Sequence, residues 1–277
     1  MSEASMRILS GLLEQRTGQI LSEGRRWRVD TLLRPVIRAH GIEDMADLVD
    51  VVRSQPDGVL ARASVNALLN NETRFFRDMA VFKMLGDSVL PALLADATAN
   101  RKSDVLRFWC AGCSTGQEAY SLAMMLHPLL RHLPDIRFEI VATDISTDAI
   151  DRAVAGQFSQ AEVQRGLPIN HLLRWFEPVG EQWRVHDELR QMIRFEARNL
   201  FASSQPAGLY DLILCRNVLL YFTDDRQKQL LDSIAQRCAA GGHLLLGAGE
   251  TVIGQNSNFR PSQQFRGFYQ LASPSSV

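Results

Sequence analysis

From residue 105 onward, short β-branched or aromatic runs alternate with helical stretches, and this alternation constrains the chain more than any other feature. Strand-like runs at 105–110, 138–143, 212–215 and 243–248 are separated by helical patterns at 118–130, 148–155 and 224–240. Such alternation predicts an α/β fold built on a doubly wound, mostly parallel sheet. Connections between parallel strands are almost always right-handed, so few topologies compete.

The first strand runs into Ala111-Gly112-Cys113-Ser114-Thr115-Gly116-Gln117-Glu118, a loop of small residues that opens a helix. Gly112 and Gly116 would let the backbone approach a ligand closely, and the helix start offers free N–H groups. In open α/β sheets the ligand lies beyond the carboxyl ends of the strands, near the switch point. The second strand ends at Asp144, where an acid can take both hydroxyls of a ribose. Together these features point to a nucleoside-containing ligand. The spacing is not G-x-G-x-x-G, which disfavours a dinucleotide; the plain alternative is an ordinary strand–loop–helix turn.

The first 70 or so residues differ in kind. Apolar residues recur at three- and four-residue steps, as in Leu32-Leu33-Val36-Ile37 and Leu48-Val51-Val52, so this part reads as all helical. Pro35 should kink or shorten its helix. The expected division is a helical domain over 1–70 and an α/β domain over 71–277. Segment 174–198, with Trp183, Ile193 and Phe195 around the turn Pro178-Val179-Gly180, reads as a small antiparallel hairpin inserted into the second domain. Residues 265–271 read as a last strand beside 243–248, and 272–277 as a frayed end.

Composition matters for what it excludes. The 277 residues carry a net charge of −1, which argues against nucleic-acid binding through a broad basic surface. No stretch approaches the roughly 20 uninterrupted apolar residues of a membrane span. The start of the chain lacks the order of a signal peptide. Four cysteines in a chain of 277 residues make no disulfide scaffold, so a reducing cytoplasm is the expected location. Cys110 and Cys113 form a C-x-x-C pair without a second pair, which favours buried hydrophobes over a redox or zinc site.

Two further clusters carry polar groups. Asn71-Glu72-Thr73-Arg74-Phe75-Phe76-Arg77-Asp78 precedes the α/β part, and Arg216-Asn217 follows the 212–215 strand, where it would sit over the ligand. The plain alternatives are phenylalanines packed in a core, solvated arginines and a core Tyr221. The Asn-Pro-Pro-aromatic motif of amide-type methyltransferases is absent there.

With these motifs in order, the chain resembles the bacterial chemotaxis receptor methyltransferases, the CheR family. The matching segments are the Asn-Glu-Thr-x-Phe-Phe-Arg run at 71–77 and the Ala-Gly-Cys-Ser-Thr-Gly-x-Glu loop at 111–118. They continue with Thr143-Asp144, Asn199-Leu200 and the Arg-Asn-Val-x-x-Tyr-Phe run at 216–222. The resemblance implies an S-adenosylmethionine-dependent fold. It implies an enzyme that esterifies glutamate side chains on cytoplasmic chemoreceptor helices and leaves S-adenosylhomocysteine. It implies that Asn71, Thr73 and Arg77 contact the cofactor, with Arg77 also beside the reacting centre. Glu118 and Asp144 would be its acidic residues, Asn199 and Leu200 would flank the adenine, and Arg216, Asn217 and the Gly112 loop would complete the pocket. Tyr221 would lie near the methyl acceptor. Gln117 and Ala119 depart from the Glu and Pro common in the family.

Charge is polarised within the helical part. Between residues 16 and 40, six arginines face two acids, a local +4; between 41 and 60, one arginine faces five acids, a local −4. A solvated helix face explains such runs in general. An acidic receptor helix would be steered by Arg25, Arg26, Arg28, Arg34 and Arg38, which are therefore the expected docking residues. The turn at 177–182 is short, which suggests activity without the receptor-tail pentapeptide that some family members bind. The expected assembly is a monomer. Competing readings are a methyltransferase for another acceptor and a non-catalytic S-adenosylmethionine-binding signalling protein.

Overall fold

Residues 1–100, 105–133, 135–203 and 205–272 are described by a computed structural model of the chain, which divides into two compact units. The frayed end expected at 272–277 falls outside the described residues except for Ala272, whose N–H donates to the Asn258 carbonyl (2.8 Å).

The first unit comprises Met1–Asn70 together with Leu220–Gln227. Its helices are α1 (Glu3–Thr17), α2 (Glu23–Arg26), α3 (Val29–Ala39), α4 (Met45–Ser54) and α5 (Val59–Leu68). Ser2 caps α1 through the Ser5 N–H, and Asp44 caps α4 through the N–H groups of Ala46 and Asp47. In α3 the buried residues Val29, Leu33 and Val36 recur at helical spacing, which leaves Arg34 and Arg38 exposed on the outer face. Pro35 lies inside α3 rather than ending it. The helix remains continuous because its apolar side is anchored before and after the proline, by Leu33 and Val36.

The second unit takes residues 71–219 and the chain from Lys228 on. Its helices are α6 (Met79–Met84), α7 (Leu90–Asn100), α8 (Gln117–Leu126), α9 (Thr147–Ala155), α10 (Gln160–Gln164), α11 (Ile169–Trp175), α12 (Asp187–Arg190) and α13 (Asp224–Ala235), the last entering from the first unit. The strands are β1 (Val105–Ala111), β2 (Arg137–Asp144), β3 (Gln157–Ser159), β4 (Phe176–Val179), β5 (Gln182–Val185), β6 (Ile193–Ala197), β7 (Tyr210–Cys215), β8 (Cys238–Leu246), β9 (Phe259–Pro261) and β10 (Phe268–Leu271). Seven strands form a mixed sheet in the order β6-β2-β1-β7-β8-β10-β9. The first five run parallel, while β10 is antiparallel to both β8 and β9. Strand order reverses between β1 and β7, so the switch point lies at the carboxyl ends of those two strands.

Two boundaries differ from the sequence reading. The 174–198 segment is not one hairpin. Only β4 and β5 pair as a hairpin, closed by Gly180-Glu181, and they form a three-stranded sheet with β3. Ile193 and Phe195 belong instead to β6, which pairs in parallel with β2 of the main sheet. The 224–240 helix also stops at Ala235, and β8 already begins at Cys238, ahead of the expected 243–248.

The small sheet is bound into the unit by aromatic packing. Phe75 meets Phe158 edge-on at 5.0 Å and Phe176 at 5.6 Å, and Phe76 lies 4.9 Å from His171. Arg165 pairs with Glu72 (2.6 Å). Gly166, at φ +96, has room for no side chain, because a Cβ there would come within 2.3 Å of the Phe75 carbonyl oxygen. The two phenylalanines are thus core residues, as the plainer reading of their cluster holds.

Candidate functional site

The carboxyl ends of β1, β2, β6, β7 and β8 deliver, in turn, the glycine loop, Asp144, Asn199-Leu200, Arg216-Asn217 and a loop ending at Glu250. The loop after β1 is fixed by its own backbone: Gly112 and Cys113 both donate to the Thr143 carbonyl, at 2.8 and 2.9 Å. Gly112 has φ +79 and Gly116 φ +90. The protein's own packing leaves no room for a side chain at either position. A Cβ at Gly112 would stand 2.5 Å from Val218, and one at Gly116 3.0 Å from Ala153.

Asp144 is buried and takes one N–H on each oxygen, from Ser114 (2.7 Å) and Ser146 (2.9 Å). Burial pushes its pKa above the ordinary carboxylate range, while the N–H groups of Ser146, Ser114 and Ile145 pull it partly back. The two carboxylate oxygens offer about four lone-pair sites, so the group retains acceptor capacity for a hydroxyl. Ser114, in the left-handed region at φ +51, also donates its hydroxyl to the Asn71 carbonyl (2.8 Å). The 71–77 run is thereby tied to the glycine loop and to Asp144. The Arg198 N–H donates to the Asp144 carbonyl (2.7 Å), which brings in the Asn199-Leu200 corner. Buried Gln205 holds that corner by donating to the carbonyls of Asn199, Leu200 and Ala202.

A second group surrounds Arg216, whose side chain is 1% exposed. Its guanidinium donates to Glu118 (2.8 Å) and to Asp78, and lies 5.8 Å from the Phe82 ring. Burial raises the Glu118 pKa, and the Arg216 charge, with Arg77 contributing, works against that rise. Arg77 is half-buried and makes no hydrogen bond or ion pair among the described residues. Thr73 is likewise half-buried on the same run.

The structure therefore gathers Asn71, Thr73, Arg77, Gly112, Glu118, Asp144, Asn199, Leu200, Arg216 and Asn217 into the second unit, at one end of the parallel strands. Tyr221 belongs to the first unit. Its hydroxyl takes a hydrogen bond from the Asn70 side chain and its carbonyl one from the Ile20 N–H (2.8 Å). The five expected docking arginines also belong to that unit and do not behave alike. Arg25 is half-buried, donates to the Leu68 carbonyl (2.6 Å) and lies 5.7 Å from the Tyr221 ring; burial lowers its pKa. Arg26 pairs with Glu3 (3.5 Å) and Glu23 (3.9 Å). Arg28, Arg34 and Arg38 are exposed and make no ion pair among the described residues. All four cysteines are free and buried, and burial raises their thiol pKa values.

Sequence reasoning missed Ser114, Gln205, Asp78 and Glu250. Asp78 stood in the quoted cluster as an acid among arginines, and Glu250 follows a parallel strand much as Asp144 does. Either position could have raised the question.

Residues 71–268 match the family model described as CheR methyltransferase, SAM binding domain. The chain belongs to the CheR methyltransferase family. It is 33% identical over 255 residues to chemotaxis protein methyltransferase Cher2 of Pseudomonas putida, covering 91% of each chain. It is 32% identical over 261 residues to chemotaxis protein methyltransferase 1 of Vibrio cholerae, covering 93% of each. A third relative, chemotaxis protein methyltransferase 1 of Pseudomonas aeruginosa, is 33% identical over 255 residues. This CheR-family methyltransferase uses S-adenosylmethionine as its cofactor. The residues present suit it: a carboxylate with spare acceptor sites for vicinal hydroxyls, an acid in the first turn of α8, and polar loops at five strand ends. Among the described residues, no helix is long and apolar enough to cross a membrane.

Proposed function

We propose that this enzyme methylates glutamate side chains of chemoreceptors, forming glutamate methyl esters and S-adenosylhomocysteine. The observation that carries the reading is Arg77, a half-buried cation with no hydrogen bond or ion pair among the described residues, on the run that borders the cofactor site. Such a guanidinium can hold a carboxylate by charge-assisted hydrogen bonds. S-adenosylmethionine supplies a methyl group on a positive sulfonium, which is already activated. The acceptor, with a pKa of about 4.3, is ionised at neutral pH and needs no general base. The task left to the protein is alignment and exclusion of water. Arg77 orients the acceptor rather than activating it, since an equally tight grip on ground state and transition state gains nothing in rate.

Asp144 takes the ribose hydroxyls, Asn199 and Leu200 flank the adenine, and Asn71, Thr73, Gly112, Glu118, Arg216 and Asn217 complete the pocket. Tyr221 serves the methyl acceptor. Transfer of labelled methyl groups to receptor-containing membranes tests the reading. The label should leave as methanol under mild base, whereas a base-stable product would rule out a carboxyl ester.

In this reading residues 1–70 dock the receptor through Arg28, Arg34 and Arg38, the arginines with exposed side chains and no ion pair among the described residues. Arg25 and Arg26 contribute more to the unit itself. Reversing the charge of Arg34 and Arg38 together is expected to raise the receptor KM about tenfold while leaving cofactor affinity unchanged. An unaltered KM would remove α3 from the docking surface.

The enzyme also works without a receptor-tail pentapeptide. Strand addition needs a free edge with regular donors. In the small sheet the order is β3-β5-β4, so β3 and β4 are the edges; β3 is three residues long, and the four of β4 include Pro178, which has no N–H to offer. Calorimetry with a pentapeptide-ended receptor tail should register no binding. Micromolar affinity would overturn this part.

A further inference from the structure

We propose that Glu250 is a positioning residue for the cofactor pocket, a carboxylate that holds the turn after β7 in its working shape. The inference rests on the cofactor site proposed above and adds a residue that acts through the backbone it holds.

The chain leaves β7 at Cys215 and turns sharply. Arg216 sends its side chain to Glu118 and Asp78, and at Asn217 the backbone enters the left-handed region at φ +57. That conformation is uncommon outside glycine, although asparagine adopts it more readily than most residues, and here a nearby group fixes it. The imposing group is the Glu250 carboxylate. One oxygen accepts the N–H groups of Asn217 (2.8 Å) and Gly247 (2.7 Å), and the other accepts the Leu219 N–H (2.8 Å). Three backbone donors from the ends of two neighbouring parallel strands thus converge on one side chain. Hydrogen bonds to an ionised acceptor are among the stronger ones in proteins.

The surroundings are shaped for this clamp. Glu250 closes its own turn, donating its N–H to the Gly247 carbonyl (3.0 Å). Gly247 is required at that place, since a Cβ there would lie 2.7 Å from the Glu250 carboxylate and 2.8 Å from both the backbone and side-chain nitrogens of Asn217. The turn is therefore pinned on two sides: through the Arg216 side chain toward α8, and through the Asn217 and Leu219 backbone toward β8. Releasing the second pin would free the Asn217 backbone to shift and carry Arg216 with it.

The test is Glu250→Gln, which keeps the size of the side chain but replaces one acceptor oxygen with an amide NH2 facing a donor. Cofactor binding is measured by calorimetry, with thermal unfolding in parallel. The expected result is a 10- to 100-fold rise in the dissociation constants of S-adenosylmethionine and S-adenosylhomocysteine alike, at a stoichiometry near one; outer groups that orient a binding site are typically worth about that much. Glu250→Asp, which keeps the charge on a shorter arm, should recover part of the affinity and serves as the measurable variant if Glu250→Gln does not fold. A merely structural role would lower the stoichiometry or the unfolding temperature and leave the dissociation constant of the folded fraction unchanged, and that outcome would overturn the proposal. Because the readout is cofactor affinity, it is independent of which acceptor the enzyme methylates.

Discussion

Exchanging Arg216 for methionine is expected to destabilise the second unit by about 3–5 kcal/mol, the range typical when one partner of a buried ion pair is removed. Methionine replaces the aliphatic stem of the side chain but not the guanidinium that reaches Glu118, Asp78 and the Phe82 ring. The damage lies in Glu118 and Asp78, which lose the cation that both of them share. Burial already raises the Glu118 pKa, and without Arg216 it rises further. A carboxyl group whose folded pKa is raised imposes no penalty below its unfolded pKa and a growing one as pH climbs toward the folded value. The deficit seen in denaturant titrations should therefore be largest at neutral pH and shrink on acidification. Adding Glu118→Gln to the variant should recover part of the loss. Stability within about 1 kcal/mol of the parent at neutral pH would mean that the two acids find other partners.

Asp144→Asn is expected to weaken S-adenosylmethionine binding at least about 100-fold. Each hydrogen bond from a ribose hydroxyl to an ionised acceptor contributes roughly 1.5–3 kcal/mol, and the amide also sets a donor against the Ser114 or Ser146 N–H. A proton-linked signature should accompany the loss. The Asp144 pKa is raised by burial, and a cofactor that donates to the ionised form pulls it down. In the pH window between the two values, binding releases a proton, and affinity falls as pH is lowered through it. Calorimetry over a pH series descending from neutral into the range where carboxylates titrate should show this slope in the parent and not in the variant. A parent affinity that does not change over this range would take the ribose away from Asp144.

The parts of the site that were legible in sequence are those whose signal is local. The glycine loop reads as a strand-to-helix turn from its own residues, and Asp144 from its place at a strand end. What stayed hidden depends on distant partners. Strand β6 looked like the return arm of a hairpin because Ile193 and Phe195 follow a turn in sequence, yet their partners on β2 lie some 50 residues earlier. Gly112 drew notice as a glycine open to a ligand, while the packing constraint on it, Val218, stayed hidden on a loop more than 100 residues later. Glu250 offers only its place after a strand as a hint: its three partners are backbone N–H groups, which every residue but proline carries. Pro35 shows a local rule meeting a tertiary one: it lies inside α3, whose buried stripe of Val29, Leu33 and Val36 spans it.

The intimacy between Phe75 and the small sheet has a consequence for modularity. Seen along the chain, β3, β4 and β5 look like an accessory that evolution or an engineer could trim, graft or exchange. Yet the rings of Phe158 and Phe176 are walls of the Phe75 pocket, and the chain at Gly166 passes too close to Phe75 for even a methyl group. The Asn-Glu-Thr run, which we propose contacts the cofactor, thus rests on the supposed accessory through Phe75. Chimeras that exchange the small sheet between relatives should succeed only when the Asn-Glu-Thr run travels with it, as a single inherited piece.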